Sequence, residues 1–326
     1  MAASRLTLKP RTYKSYELVY ARYVLPVFGH RRATTVTGQE VQDWVQSLAA
    51  QGLSPSTVRK VFVALTKAMK YAVQHKHIAT NPCTGTVLPR LEKYEARFLT
   101  PAEVERRAEE LDYFHPYGLI VCFAAYTGLR AGEVAGLRIN SVNLLRHEVA
   151  VEVTRQRING EWITGTPKSD RSRRKVPLLA DALVDDLRAY LDEHPHRTDP
   201  DAALWPGRTP GSRTLDWDRQ WDQGSFYRRY FRPALDRAEL GDVRFHDLRY
   251  TFASMLLAAG VEPYKVSRWL GHASITTTDT TYSHLYPSDH SVESARMQAY
   301  LSDSSAPRSN SGISTSTSGE VATASG

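Results

Sequence analysis

Between Lys14 and Val27 apolar side chains return at helical spacing, at Tyr16, Val19, Tyr20, Tyr23, Val24 and Val27, and the text "FGH" then breaks the run. This predicts a first amphipathic helix. Thr37 with Glu40 three residues on is a capping box ahead of Val41, Trp44, Val45 and Leu48, and Gly52 supplies a stop. Ser54 followed by Pro55 is an N-cap with proline at the first helical position. It opens a run to about His75 whose apolar members include Val58, Val61, Phe62, Leu65, Met69 and Val73. Lys60, Lys67 and Lys70 fall within roughly a quarter-turn of one another on the polar side of that helix. A solvated face accounts for such a stripe as well as a ligand does.

Residues 79–98, "ATNPCTGTVLPRLEKYEARF", are rich in turn formers and basic residues and join this helical portion to a differently patterned remainder. The expected organisation is a helical domain over 1–82, a linker over 83–98 and a second domain over 99–301. Thr100, Pro101 and Glu103 start that second domain with a helix, and Tyr117 to Tyr126 reads as a buried helix that Gly128 ends. The period then changes. "EVAVEV" at 148–153 alternates, Asn159-Gly160 is a strong hairpin signal between two further runs, and a third strand fits Arg174 to Leu178. Helices follow at 180–193, 224–239, 246–259, 263–270 and around 275–284. The Ser/Thr/Gly-rich end, 302–326, has too little apolar bulk to offset ordering entropy and is expected to be disordered. The fold class expected is mainly α with a small antiparallel β-sheet.

Composition narrows the partners. A chain of 326 residues has a formal net charge of +7, which favours a polyanion such as nucleic acid. With two cysteines, Cys83 and Cys122, a disulfide framework is not expected and a reducing cytosol fits. The N-terminus lacks a signal-peptide apolar core, and no run reaches bilayer length, so no membrane association is expected. His75 and His77 are isolated, the cysteines lack ligand spacing, and "HEVAV" at 147 lacks the second histidine of a zincin, so no metal is expected. Gly132 and Gly136, four apart in "GLRAGEVAG", follow no strand and imply no nucleotide loop.

Three segments place polar or charged residues inside apolar helical text. In "YTGLRAGEVAGL", Arg130 follows a Gly turn at a helix entrance, with Glu133 one turn on. An arginine there needs an anion, either Glu133 itself or a ligand. In "RFHDLRYTFASMLLAAG", His246 and Arg249 are three apart and share one face, able to aim an imidazole and a guanidinium at one phosphate. In "RWLGHASITTTDTTYSH", His272 follows a Gly stop and Tyr282 comes ten residues later. Tyr282 and Tyr286 would lie one turn apart on one helix side, where packing is the ordinary role of tyrosine.

Taken together and in this order, "TGLRAGE", "HDLRYTFA", "LGHAS" and "TYSH" resemble the motifs of the tyrosine recombinase (phage integrase) family, over roughly residues 10–300. The resemblance implies a helical core-binding (SAM-like) domain and an α+β catalytic domain that together clamp DNA. It implies that Tyr282 attacks a DNA phosphodiester to form a 3′-phosphotyrosyl link, conserving bond energy for rejoining without ATP or metal. Arg130 and Arg249 would hold the non-bridging oxygens. His246 would act as general base or orient the phosphate, and His272 would hydrogen-bond a phosphate oxygen. Glu133 would support the arginines. Lys168, in the hairpin turn "TPKSDRSR", matches the lysine that protonates the leaving 5′-oxygen, with Lys175 in the next strand as its rival. Tyr286 matches a packing position.

The same resemblance gives the lysine stripe Lys60, Lys67 and Lys70 a use against DNA phosphates. Arg171, Arg173 and Arg174 are further candidates for DNA contact, or else a solvated strand edge. It implies attachment-site duplex DNA as substrate, a homo-tetramer exchanging strands through a Holliday junction, and a place in a bacterial cytoplasm on the nucleoid. An accessory DNA-bending or directionality protein would fit phage or mobile-element integration and excision. "SVESARMQAYL" would dock on a neighbouring protomer or pack on its own domain. Only about ten residues precede the first helix, so a further arm-binding domain is expected to be absent. Two departures stand out: Tyr250 occupies a position where many relatives have histidine, and "LRINSVNL" lacks the frequent Trp and Asp. A type IB topoisomerase or a DNA-binding protein without catalysis are the competing readings.

Overall fold

The computed structural model of the chain describes residues 8, 10–91, 97–158, 160–165, 173–209, 211–282 and 291–304. The first helix, α1, begins at Pro10, before the apolar spacing sets in. It runs as α-helix through Pro10–Val19, as a π turn through Tyr20–Val24, and as α-helix again through Leu25–Phe28. The wider turn shifts the inward face: Val19, Val24 and Phe28 are buried, whereas Val27, assigned to that face by a 3.6 period, is 46% exposed.

Helix α2 (Gly38–Ala50) opens on the expected capping box. The Glu40 N–H donates to Thr37 Oγ1 at 3.3 Å, and the Thr37 N–H donates to Glu40 Oε2 at 2.9 Å. Helix α3 (Pro55–Gln74) opens on Ser54, whose hydroxyl accepts from the Thr57 N–H. Their apolar faces close one core with α1, and the Tyr20 hydroxyl donates to the Ala64 carbonyl at 2.7 Å.

A second, separate core begins at Leu99 and ends at Tyr282. Helix α4 (Pro101–Asp112) starts from the Thr100–Glu103 capping box. The uncharged, mostly apolar α5 (Tyr117–Thr127) is largely buried and stops at Gly128, in the left-handed region at φ 64°. After the short α6 (Ala131–Val134) come β1 (Val142–Asn143), β2 (Glu148–Val151), β3 (Thr154–Ile158), β4 (Glu161–Gly165) and β5 (Arg174–Pro177).

These strands form two sheets where the periodicity indicates one. β1-β2-β5 is an antiparallel three-stranded sheet with Val149 opposite Val176, and β3-β4 is a hairpin of its own with Arg157 opposite Trp162. The ladder breaks between Val151 and Thr154, where Gly132 and Gly136 bring the α6 segment onto the strand backbone. A Cβ at 136 would lie 2.6 Å from the Val153 carbonyl. The four-residue glycine spacing therefore serves close packing of helix on strand.

Helix α7 (Asp181–Asp192) is followed by a hairpin that alternation did not reveal, β6 (Pro206–Arg208) with β7 (Leu215–Gln220). Its pairing is irregular at Pro206/Gly207, and "LDWDRQ" carries too many charges to read as a strand. Helix α8 joins Gln223–Phe226, a π turn at Tyr227–Phe231 and Arg232–Arg237. Then come α9 (Asp247–Ala258), α10 (Pro263–Leu270), α11 (Ile275–Tyr282) and α12 (Ser291–Ser304). Among the described residues, no helix is long and apolar enough to cross a membrane.

Candidate active site

The end of α10 organises the site. Gly271 sits at φ 66° and closes a Schellman turn: its N–H donates to the Arg268 carbonyl at 3.0 Å, and the His272 N–H donates to the Ser267 carbonyl at 3.1 Å. The next three carbonyls in sequence each accept from an arginine. Arg174 Nε donates to Trp269, Arg249 Nη2 to Leu270, and Arg130 Nη2 to Gly271 at 3.5 Å. A helix C-terminus carries partial negative charge and unsatisfied acceptors, so it gathers cations from elements distant in sequence.

Arg249 is buried at 3% exposure, and its Nη1 also donates to the Gly128 carbonyl at 2.8 Å. It thus ties the C-termini of α5 and α10 together. Gly128 is required for its positive φ and because a Cβ there would collide with Phe252. Burial, followed by the repulsion of Arg130, lowers the Arg249 pKa to about 9, leaving it cationic at neutral pH.

Arg130 is half-exposed at the mouth of α6 and pairs with Glu133 through Nη1 and Oε1 at 2.9 Å. The local ion pair therefore forms, and part of the guanidinium remains open to solvent. Glu133 itself is buried and also accepts from Arg174 Nη1 and Nη2, at 3.1 Å and 2.9 Å. Burial pushes its carboxyl up, but the Arg174 hydrogen bonds and charge, then Arg130, outweigh this and hold it at about 2.

Arg174 needs correcting as a candidate DNA contact. Strand alternation puts it on the same face of β5 as buried Val176, and its side chain is 6% exposed against Glu133. Alternation also sends Lys175 to the opposite face, where its Nζ pairs with Glu148 at 2.6 Å, away from the arginines. Arg173 is exposed, as are Lys60, Lys67 and Lys70 on α3, with Lys67 Nζ donating to the Tyr16 hydroxyl at 2.6 Å. Lys168, Arg171 and Tyr286 lie outside the described residues.

His272 Nδ1 meets Thr278 Oγ1 at 2.7 Å. Burial first, then Arg249, Arg130 and Arg174, lower the His272 pKa to about 3, so the imidazole is neutral at pH 7. His246 sits at the exposed N-terminal edge of α9; desolvation of its ring, then the Arg249 and Arg130 charges, also lower its pKa. Its ring packs edge-on to Tyr250 at 5.3 Å, and Tyr250 in turn meets Tyr282 at 5.9 Å. Tyr250, a departure from the family pattern, is thus the side chain lying between the two.

Tyr282, the last residue of α11, is 1% exposed, and its hydroxyl has no hydrogen-bond partner among the described residues. Burial raises its pKa, with Arg249 opposing. The arrangement unites two guanidiniums, two neutral imidazoles and a buried phenol, a set suited to a phosphodiester. Thr278 and the inward turn of Arg174 escaped the motif reading. Of these, only the parity of Arg174 with Val176 was open to sequence inspection.

The description "Phage integrase family" matches residues 97–289, more than half of the chain, and "Phage integrase, N-terminal SAM-like domain" matches residues 1–49. The chain belongs to the phage integrase family. It is 23% identical to the ICEBs1 integrase of Bacillus subtilis (strain 168), covering 88% of this chain and 77% of that one. It is 26% identical to a "Tyrosine recombinase XerC-like" protein of Caldanaerobacter subterraneus subsp. tengcongensis, covering 87% and 76%. The fold is similar to that of the Tn1549 transposon integrase in complex with transposon right end DNA, with TM-score 0.71 and 18% identity over 92% of this chain and 96% of that one. It is also similar to lambda integrase in a tetramer bound to a Holliday junction, with TM-score 0.59 and 19% identity over 88% and 74%. The mainly helical catalytic fold with small antiparallel sheets, and the activity of a site-specific DNA recombinase of the tyrosine class, follow from this membership.

Proposed function

We propose that this protein cleaves and rejoins duplex DNA at attachment sites with Tyr282 as nucleophile, for integration and excision of a phage or other mobile element. The observation that carries the residue assignment is the meeting of Arg130 and Arg249 at the end of α10, on the two carbonyls that precede His272, with His272 bonded to the helix bearing Tyr282. The Tyr282 Oη forms a bond to phosphorus as the P–O5′ bond breaks, so one phosphodiester replaces another and no energy source is consumed. Arg130 and Arg249 bind the non-bridging oxygens as charge grows on them. Neutral His246 is in the form that accepts the tyrosine proton or orients the phosphate, and His272 donates through Nε2. Lys168 protonates the leaving O5′, a role favoured by the turning-away of Lys175.

The cationic clamp does the work a metal would do in neutralising the phosphate, so cleavage is expected to need neither metal nor ATP. DNA held against Lys60, Lys67, Lys70, Arg171 and Arg173 would lie between a core-binding domain (1–82) and a catalytic domain (99–301), in the cytoplasm of a bacterial cell. A homo-tetramer on paired sites is the expected assembly. α12 exposes Met297, Tyr300 and Leu301 at 58%, 70% and 51%, which supports docking on a neighbouring protomer. An accessory DNA-bending or directionality protein completes the proposal.

The test is a nicked suicide substrate carrying a candidate attachment site, incubated in chelator, with peptide mapping of the covalent adduct. An adduct on Tyr282 and exchange of flanks between paired sites are expected. No adduct, or dependence on a divalent metal, would overturn the mechanism.

A further inference from the structure

Each Glu133 oxygen accepts two donors. Oε1 receives Arg130 Nη1 at 2.9 Å and Arg174 Nη1 at 3.1 Å; Oε2 receives the Arg130 backbone N–H at 2.8 Å and Arg174 Nη2 at 2.9 Å. A carboxylate and a guanidinium prefer a two-pronged pair, and here Arg174, not Arg130, forms it. Arg130 is left with a single prong on Glu133 and a long 3.5 Å contact from Nη2 to the Gly271 carbonyl, and its side chain stays 37% exposed to an incoming anion.

Arg174 turns its fork inward: Nη1 and Nη2 both donate to Glu133, and its side chain is 6% exposed. It is braced from behind as well. Its Nε donates to the Trp269 carbonyl, and its guanidinium lies against Gly271, where an added Cβ would come 3.0 Å from Nη1 and 3.1 Å from Cζ. One buried side chain therefore fixes both the carboxylate beside Arg130 and the turn that leads into His272.

We propose that Arg174 is a positioning residue for strand cleavage: by occupying Glu133 with two prongs, it keeps the Arg130 guanidinium open for the scissile phosphate. Without it Glu133 is free to close both oxygens on Arg130 and withdraw that guanidinium from substrate. The inference rests on Arg130 being a phosphate ligand, as proposed above.

The experiment measures single-turnover adduct formation and DNA affinity for wild type, Arg174→Met, Arg174→Lys, Glu133→Gln and the double variant Arg174→Met/Glu133→Gln. Arg174→Met should slow the adduct roughly 100-fold while the Kd for DNA changes by no more than about twofold. Arg174→Lys, a cation without the fork, should not restore the rate. The double variant should be faster than Arg174→Met, because a neutral amide no longer captures Arg130. A structural role alone predicts additive losses instead. Wild-type rate in Arg174→Met, rescue by lysine, a double variant no faster than the single, or a rate loss matched by lost DNA binding would each overturn the proposal. If Arg174→Met does not fold, comparison of Arg174→Lys with Arg174→Lys/Glu133→Gln makes the same distinction. Absence of any wild-type adduct would refute the functional reading, not this one.

Discussion

Thr278 Oγ1 lies 2.7 Å from Nδ1 of His272, joining the turn after α10 to the helix that carries Tyr282. It engages one ring nitrogen and leaves Nε2 for the proposed phosphate contact. Thr278→Val keeps the shape of this fully buried side chain and deletes its hydroxyl. Adduct formation should fall roughly tenfold, as for other lost partners of a functional histidine. Stability should fall by about 1 kcal/mol. Suicide-substrate kinetics and thermal melting read the two effects; an unchanged rate would reduce the contact to packing.

Both histidines have pKa values below the ordinary value of 6.5, His272 at about 3. In the window between these values the unfolded chain binds protons that the folded protein does not, so stability is lost as pH falls from 6.5 towards 3. The DNA-free Tm should therefore drop between pH 7 and pH 5. His272→Asn should show a shallower drop over that interval. Equal slopes in wild type and variant would contradict the burial and arginine neighbours as the cause.

Among the described residues the buried Tyr282 hydroxyl has no hydrogen-bond partner, which is a cost to the free protein. Tyr282→Phe should abolish the adduct and leave DNA-free stability equal or higher by up to about 1 kcal/mol. Tyr250→Phe keeps both ring contacts and should retain the adduct. A Tyr282→Phe protein that melts earlier would point to a hydrogen bond on that hydroxyl.

Gly271→Ala should be poorly tolerated for two reasons that add: a φ of 66° and a Cβ pressed on Arg174. The backbone strain alone costs about 1–2 kcal/mol. Gly160, at φ 86° with open space around it, carries only the first cost, so Gly160→Ala should melt above Gly271→Ala. The reverse order would contradict the packing of Arg174 under the turn.

Lys168→Ala should slow cleavage of ordinary DNA much more than cleavage of a substrate whose leaving 5′-oxygen is replaced by sulfur, since a thiolate leaves without a proton. Lys175→Ala should be near wild type on both. An equal loss on both substrates would remove Lys168 from the acid role.

Local chemistry was legible in the sequence because it depends on neighbours in the chain. Thr37, Ser54 and Thr100 cap helices through residues three positions away, and Gly128 and Gly271 end helices through their own φ. The order of the Arg, His-Arg, His and Tyr segments was likewise on the page, and with it the family. What the linear text could not hold was any relation set by packing between distant elements. The π turn within α1, the division of the strands into two sheets, and the inward turn of Arg174 arise when faces meet. So does the sharing of three successive carbonyls among Arg174, Arg249 and Arg130. A basic run in sequence carries no sign of which charge faces water; β5 lying over the end of α10 decided that, because a buried guanidinium persists only where fixed acceptors meet it.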